Sequence, residues 1–267
     1  ALPICLTLAR CPQRRPAVPY AENDGVKIYY EVDGTPGGEP MVMHHGYLAD
    51  LESWRARGWV KALGDRYRLL LVDSRGHGRS DKPTDPEAYE MRTRVLDVLA
   101  VMGAESVNTA HYLGYSMGGM IGYSALIYAP QRFATVSCGG ASPMLRPATA
   151  AAHSTMDWDT LMKAALQNGA VKAAYDAGRI ERAPMEACRI ALDEWNGAEQ
   201  ALRLATMPVF MYAGTEDTPH AGCASAVALN PKARFLSLPG KNHTTAAESV
   251  DLVVPALLEH IGGVKAG

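Results

Sequence analysis

Seven stretches of this chain read as strands separated by helical segments, and several are apolar from end to end. They are VKIYYEV from Val26, PMVMHH from Pro40, YRLLLVD from Tyr67, TAHYLG from Thr109, RFATVSC from Arg132, PVFMYAG from Pro208 and ARFLSLP from Ala233. A strand with one face in water alternates apolar and polar residues, whereas a nearly continuous apolar run belongs to a sheet covered on both faces. Helical spacing fills the intervals: Met91, Val95, Val98 or Leu99, and Met102 share one stripe, and Ala246, Val250, Val253, Leu257 and Ile261 share another near the end. The alternation predicts an α/β fold, a mostly parallel central sheet flanked by helices. With 267 residues, 48% of them hydrophobic, one large core is expected.

The stretch 142–206 breaks the rhythm, reading as short helices without a strand. It sits between two late strands, where a small helical lid closes over the carboxyl edge of such sheets. The expected division is therefore a core of residues 17–141 and 207–267, a lid of residues 142–206, and an N-terminal extension of residues 1–16. That extension carries Arg10, Arg14 and Arg15 after its short apolar run, the reverse of a secretory signal. No stretch approaches the length of a membrane span. A formal net charge of −2 with scattered charges argues against a nucleic-acid partner. Cys5, Cys11, Cys138, Cys188 and Cys223 form no C-x-x-C pair, so free thiols in a reducing, cytoplasmic compartment are expected, without metal or cofactor.

HYLGYSMGGMIG, His111–Gly122, holds the strongest chemical signal. Gly114-Tyr115-Ser116-Met117-Gly118 is a G-x-S-x-G match, weak alone but placed between an apolar strand and a helix rich in small residues. Such a turn lifts a serine hydroxyl above a sheet edge; a serine capping a glycine-rich helix start is the blander account. A catalytic serine needs a base, and the base an orienting carboxylate. Thr215-Glu216-Asp217 follows one late strand and Gly240-Lys241-Asn242-His243 the next, so both groups emerge at the edge that carries Ser116. Glu216 competes with Asp217, and His220 with His243. His44, His45 and His77 read as braces for the loops that hold them.

With these motifs the chain resembles the α/β-hydrolase-fold serine hydrolases from about Gly25 to Ile261. MVMHHGYLAD resembles their His-Gly oxyanion loop, and DSRGHGRSDKP, Asp73–Pro83, their D-x-x-G-x-G-x-S turn. The resemblance implies Ser116 as nucleophile, Asp217 as acid and His243 as base, with an oxyanion hole from the N–H groups of Met117 and Tyr47. Separately from the resemblance, a small or medium carboxylic ester is the expected substrate, with Trp54 and Trp158 narrowing a modest pocket and Met144 a further substrate-binding residue. Relatives that attack with aspartate, the haloalkane dehalogenases and epoxide hydrolases, are set aside by Ser116. Lactonases, carbon-carbon bond hydrolases and cofactor-free perhydrolases share the machinery, and ligand sensors of the same fold keep the triad as well.

Overall fold

A computed structural model describes residues 19–144 and 156–266. The expected extension 1–16, Cys5, Cys11 and part of the stretch read as a lid, Leu145 included, lie outside the described residues. Eight strands form one sheet: β1 (Tyr20–Asn23), β2 (Val26–Gly34), β3 (Glu39–His44), β4 (Tyr67–Val72), β5 (Ala110–Tyr115), β6 (Phe133–Gly139), β7 (Val209–Gly214) and β8 (Ala233–Leu238). Their spatial order is β1-β2-β4-β3-β5-β6-β7-β8. β1 and β2 pair antiparallel, as do β2 and β4, and the remaining pairs are parallel. The seven expected strands are present, and β1 is an addition.

Alternate residues of the central strands serve opposite faces. Val42 of β3 and Leu70 and Val72 of β4 join one core cluster with Val95, Val98, Met102 and Ile121. Those residues come from helices α3 (Met91–Ala104) and α4 (Met117–Tyr128), which follow α1 (Glu52–Ala56) and α2 (Trp59–Leu63). Met41, Met43, Leu69 and Leu71 point the other way, into a cluster with Trp54, Trp59, Leu63, Val253, Leu257 and Ile261. Both faces are covered, which is why β5 and β7 are buried at every position.

Between β6 and β7 run α5 (Trp158–Ala165), α6 (Gly169–Asp176), α7 (Arg182–Asp193) and α8 (Glu199–Leu204). Met162, Val171 and Met185 from the first three of these helices bury against Leu48, with Trp158, Leu161 and Tyr47 packed around them. Polar ties add to this: Tyr47 Oη donates to the Met185 carbonyl at 2.9 Å, and Arg179 Nε meets Asp50 Oδ2 at 2.6 Å. The first three inserted helices therefore rest on the loop after β3, at the carboxyl edge of the sheet, while Leu202 of α8 joins the core cluster of α3 and α4.

After α9 (His220–Ala226) and β8, the expected terminal stripe divides into α10 (His243–Ala247) and α11 (Val250–Ile261). Ala246 is buried but belongs to α10, so a single terminal helix is corrected to two. Asn242 explains the separate start: its side chain accepts from Thr244 N and Thr245 N, at 3.0 Å each, while Thr245 Oγ1 accepts from Asn242 N at 2.9 Å. This reciprocal cap satisfies first-turn N–H groups and fixes where α10 begins.

A buried ion pair ties the turn after β4 to α3. Arg75 and Asp97 meet through Nε–Oδ2 and Nη2–Oδ1 bonds of 2.6 Å each, with side chains 2% exposed. Burial pushes the Asp97 carboxyl up against the opposing pull of Arg75. Replacing Arg75 with methionine strands the carboxylate, and we expect a loss of about 3–5 kcal/mol in unfolding free energy by urea titration. A loss below about 1 kcal/mol would show that Asp97 finds other partners.

Candidate active site

The strand order reverses between β3 and β5: the chain moves outward from β3 to β4, then returns to β3's other side. Ligands of open α/β sheets bind outside the carboxyl ends at such a point. Here the loop after β3 and the turn after β5 face each other across the gap.

Ser116 occupies the turn after β5 with φ 55° and ψ −113°, a conformation that costs a non-glycine residue on the order of 1–3 kcal/mol. Its neighbours show why the chain accepts that strain. A Cβ on Gly114 would lie 2.2 Å from the Gly118 carbonyl oxygen, and one on Gly118 would lie 2.0 Å from that of His44. Only glycines let strand, turn and helix approach this closely. Ser116 N donates to the Gly139 carbonyl at 2.7 Å and Gly118 N to that of His45 at 3.1 Å, pinning the turn from both sides. Ser116 stands at the N-cap of α4, yet its side chain makes no capping bond. Its hydroxyl faces an imidazole instead.

That imidazole belongs to His243, the first residue of α10: Nε2 lies 3.0 Å from Ser116 Oγ, and Nδ1 lies 3.0 and 2.9 Å from the two carboxylate oxygens of Asp217. Since a carboxylate only accepts, Nδ1 carries the proton and the free Nε2 lone pair receives the serine hydroxyl. Asp217 is 8% exposed. Tyr115, beside Ser116, donates its hydroxyl to the His243 carbonyl, and its ring lies 5.3 Å from the imidazole. The competing residues stand elsewhere. His220 Nε2 pairs with Ser237 Oγ at 2.8 Å and its ring abuts Phe235, while Glu216 is exposed.

The loop after β3 reaches Ser116 at Gly46, where an added Cβ would lie 3.2 Å from Ser116 Cβ and 3.8 Å from its Oγ. The next residues, Tyr47 and Leu48, lead into a second strained position, Leu48 at φ 61°. Met117 opens α4, so its N–H belongs to the first turn, beyond the reach of helical carbonyls. His45 braces the loop: Nδ1 donates to the Gly46 carbonyl at 2.8 Å, and Nε2 accepts from Ser74 N at 3.0 Å. Burial lowers the pKa of His45, consistent with this neutral form. Asp73 holds the turn after β4, accepting from Leu51 N and Arg79 N at 2.8 and 2.9 Å. Gly46→Ala should lower kcat by about 10- to 100-fold, because the methyl group displaces the nucleophile or the loop. Steady-state rates check this, and an unchanged kcat would place the loop too far away to matter.

Of the expected pocket residues, Trp158 is half-buried in the cluster around Leu48, and Met144 lies beside Gly222. Trp54 is corrected: it is 2% exposed and stands edge-on to Trp59, 5.6 Å away, in the core on one face of the sheet. Its indole is spent on packing and offers no wall to a substrate. Sequence reasoning passed over Arg94, which is fully buried on α3, and Cys188 on α7, whose Sγ lies 3.8 Å from Met117 Sδ. For Arg94 the signal was a charged residue one position before Val95, on the helix face that it shares with the buried Asp97, Val98 and Val101.

The α/β-hydrolase fold profile matches residues 39–249, about four fifths of the sequence. The chain belongs to that family. Among curated relatives of this α/β-hydrolase, the pimeloyl-[acyl-carrier protein] methyl ester esterase of Edwardsiella ictaluri is 36% identical over 107 residues, 40% of this chain and 38% of that one. The non-heme chloroperoxidase of Streptomyces lividans is 36% identical over 97 residues, 36% of this chain and 34% of that one. The alignments thus take in little more than a third of either relative. Among solved structures, a hydrolase from Pseudomonas aeruginosa superposes with a TM-score of 0.79 at 25% identity, covering 91% of this chain and 98% of its own. An esterase from a Rhodococcus species gives 0.76 at 25% identity, covering 92% and 98%. No helix among the described residues is long and apolar enough to cross a membrane, and no group of three or more His, Cys, Asp or Glu among them is placed to hold a metal ion.

Proposed function

We propose that this chain is a serine hydrolase that cleaves small to medium carboxylic esters through an acyl-enzyme. The observation that carries the reading is the unbroken chain from Asp217 through His243 to Ser116, with bonds of about 3 Å. His243 Nε2 takes the Ser116 proton as Oγ attacks the ester carbonyl, and then gives it to the departing alcohol. Water repeats the sequence on the acyl-enzyme, with the same nitrogen as base. Asp217 holds the ring and offsets the imidazolium charge. The N–H groups of Met117 and Tyr47 receive the tetrahedral oxyanion, where each donor is typically worth about 10²–10³ in rate.

The helices α5–α7 act as the lid, with Trp158 and Met144 toward the acyl group. Named relatives that hydrolyse esters, the Edwardsiella methyl ester esterase and the Rhodococcus esterase, support this reaction class. Epoxide hydrolases are also among the relatives, but a serine rather than an aspartate stands at the turn here.

The test pairs a fluorophosphonate probe with a panel of p-nitrophenyl esters and lactones, using Ser116→Ala as the blank. Expected are an adduct on Ser116 and many turnovers per site. Rates no higher than the blank, with no adduct, would remove the reading; a single turnover would favour a ligand sensor.

A further inference from the structure

The turn that carries the Tyr47 N–H is strained, and the inserted helices hold it from outside. Ala49 N donates to the Gly46 carbonyl at 3.2 Å, closing a tight turn over Tyr47 and Leu48. Leu48, the third residue of that turn, has φ 61°, a backbone that such turns ordinarily give to glycine. A larger residue persists there only where its surroundings over-determine it. Leu48 is buried against Met162, Val171 and Met185, and Tyr47 Oη donates to the Met185 carbonyl at 2.9 Å. These contacts come from α5, α6 and α7 in turn.

A charge on each side adds the firmest tie. Asp50 follows the turn directly with its carboxylate 4% exposed; Oδ1 accepts from Glu52 N at 3.1 Å, and Oδ2 meets Arg179 Nε at 2.6 Å. Arg179 follows the end of α6, and its backbone is fixed there. Gly178 takes φ 67°, its N–H donates to the Tyr175 carbonyl at 2.9 Å, and Arg179 N donates to the Ala174 carbonyl at 3.0 Å. Those two bonds around a left-handed glycine close the helix in one geometry and aim the residue that follows. Asp50 shares its surroundings with a second buried carboxyl, that of Asp73, whose pKa is pushed up to about 7, chiefly by burial and in part by the charge of Asp50. Without Arg179 the Asp50 carboxylate is left buried and uncompensated, and shifting the loop toward water is its relief.

Among the described residues no hydrogen bond or ion pair joins Arg179 to Ser116, Asp217 or His243, so any part it plays in the reaction is exercised through Asp50. We propose that Arg179 is a positioning residue for the oxyanion hole: from the lid, through Asp50, it holds the strained turn at Leu48 so that the Tyr47 N–H stays aimed at the oxyanion. This rests on the ester-hydrolase reading above. A tetrahedral oxyanion draws on that donor more than the ester ground state does, so the loss of Arg179 falls on the chemical steps and little on binding.

The experiment measures kcat and KM for p-nitrophenyl acetate in the intact protein, Arg179→Met and Arg179→Lys. Beside them it measures inhibition by an alkyl trifluoromethyl ketone, whose hemiketal with Ser116 places an oxyanion in the hole. Arg179→Met should lower kcat about 10- to 100-fold, with KM held within about twofold because the hole serves acylation and deacylation alike, and should weaken the ketone by a matching factor. Arg179→Lys should recover part of both, since it restores the charge without the planar fork. Asp50→Asn combined with Arg179→Met should lose no more than Arg179→Met alone, the two side chains acting as one unit. An unchanged kcat in Arg179→Met, or a loss confined to KM with ketone inhibition unmoved, would overturn the proposal and leave the ion pair as a seat for the lid. Should Arg179→Met fail to fold, Arg179→Lys decides: a smaller, matched fall in kcat and ketone affinity supports the proposal, and an unmatched fall or none overturns it. No turnover by the intact protein, with no phosphonate adduct on Ser116, would instead remove the hydrolase reading beneath it.

Discussion

His243→Ala should abolish both the release of the first product and the hydrolysis of any acyl-enzyme, lowering kcat by about 10⁶. One nitrogen, 3.0 Å from Ser116 Oγ, serves both steps, so no partial reaction survives its loss. The residual rate should be only what oxyanion stabilisation and binding supply, on the order of 10³–10⁴ over water. His220→Ala should keep most activity, because that ring is committed to Ser237 and Phe235. Stopped-flow traces with a p-nitrophenyl ester separate acylation from turnover. A full burst in His243→Ala and none in His220→Ala would reverse the assignment.

Asp217→Asn should cost about 10⁴ in kcat, the scale seen for the equivalent change in the serine-protease triad. The carboxylate accepts from His243 Nδ1 through both oxygens, whereas an amide offers that nitrogen a donor as readily as an acceptor and lets the ring adopt the wrong tautomer. The fold should be kept, since the change is isosteric. Glu216→Gln should do little, its side chain being exposed. Kinetics of the two variants side by side check the ranking, and a larger loss in Glu216→Gln would move the acid there.

How far these residues could be read from the sequence depended on how local their constraints are. The turn at Ser116 is fixed by glycines at contact distance, so its spacing was visible in five residues. Asp217 and His243 follow the ends of apolar strands, and the carboxyl ends of strands in a parallel sheet share an edge. Trp54 shows the opposite case. An indole on a five-residue helix can line a pocket or pack beneath it, and only its edge-on contact with Trp59, at the start of the next helix, decides. β1 was missed because YAEN is short and largely polar, and its strand character comes from pairing with β2. The break before α11 was hidden because burial continues across it: Ala246 and Val253 are both 0% exposed although they sit on different helices. The burial of Arg94 is not legible in advance, because a guanidinium ordinarily faces water and only the Tyr89 and Cys188 carbonyls, remote in sequence or set by the fold, receive it here.

The pairing of β6 with β7 carries a further consequence for how such a protein diversifies. Val136 to Gly139 run parallel beside Val209 to Tyr212, so the excursion that holds α5–α8 is a crossover whose two ports lie on opposite edges of the sheet, the carboxyl end of β6 and the amino end of β7. Doubling the length of a flexible connection between such fixed ends costs only about 0.6 kcal/mol. Ser116, Asp217 and His243 lie outside that excursion, on the turns that follow β5, β7 and β8. Helices between those ports can be exchanged, lengthened or trimmed as a cassette, changing which molecules are admitted while the reacting atoms keep their places.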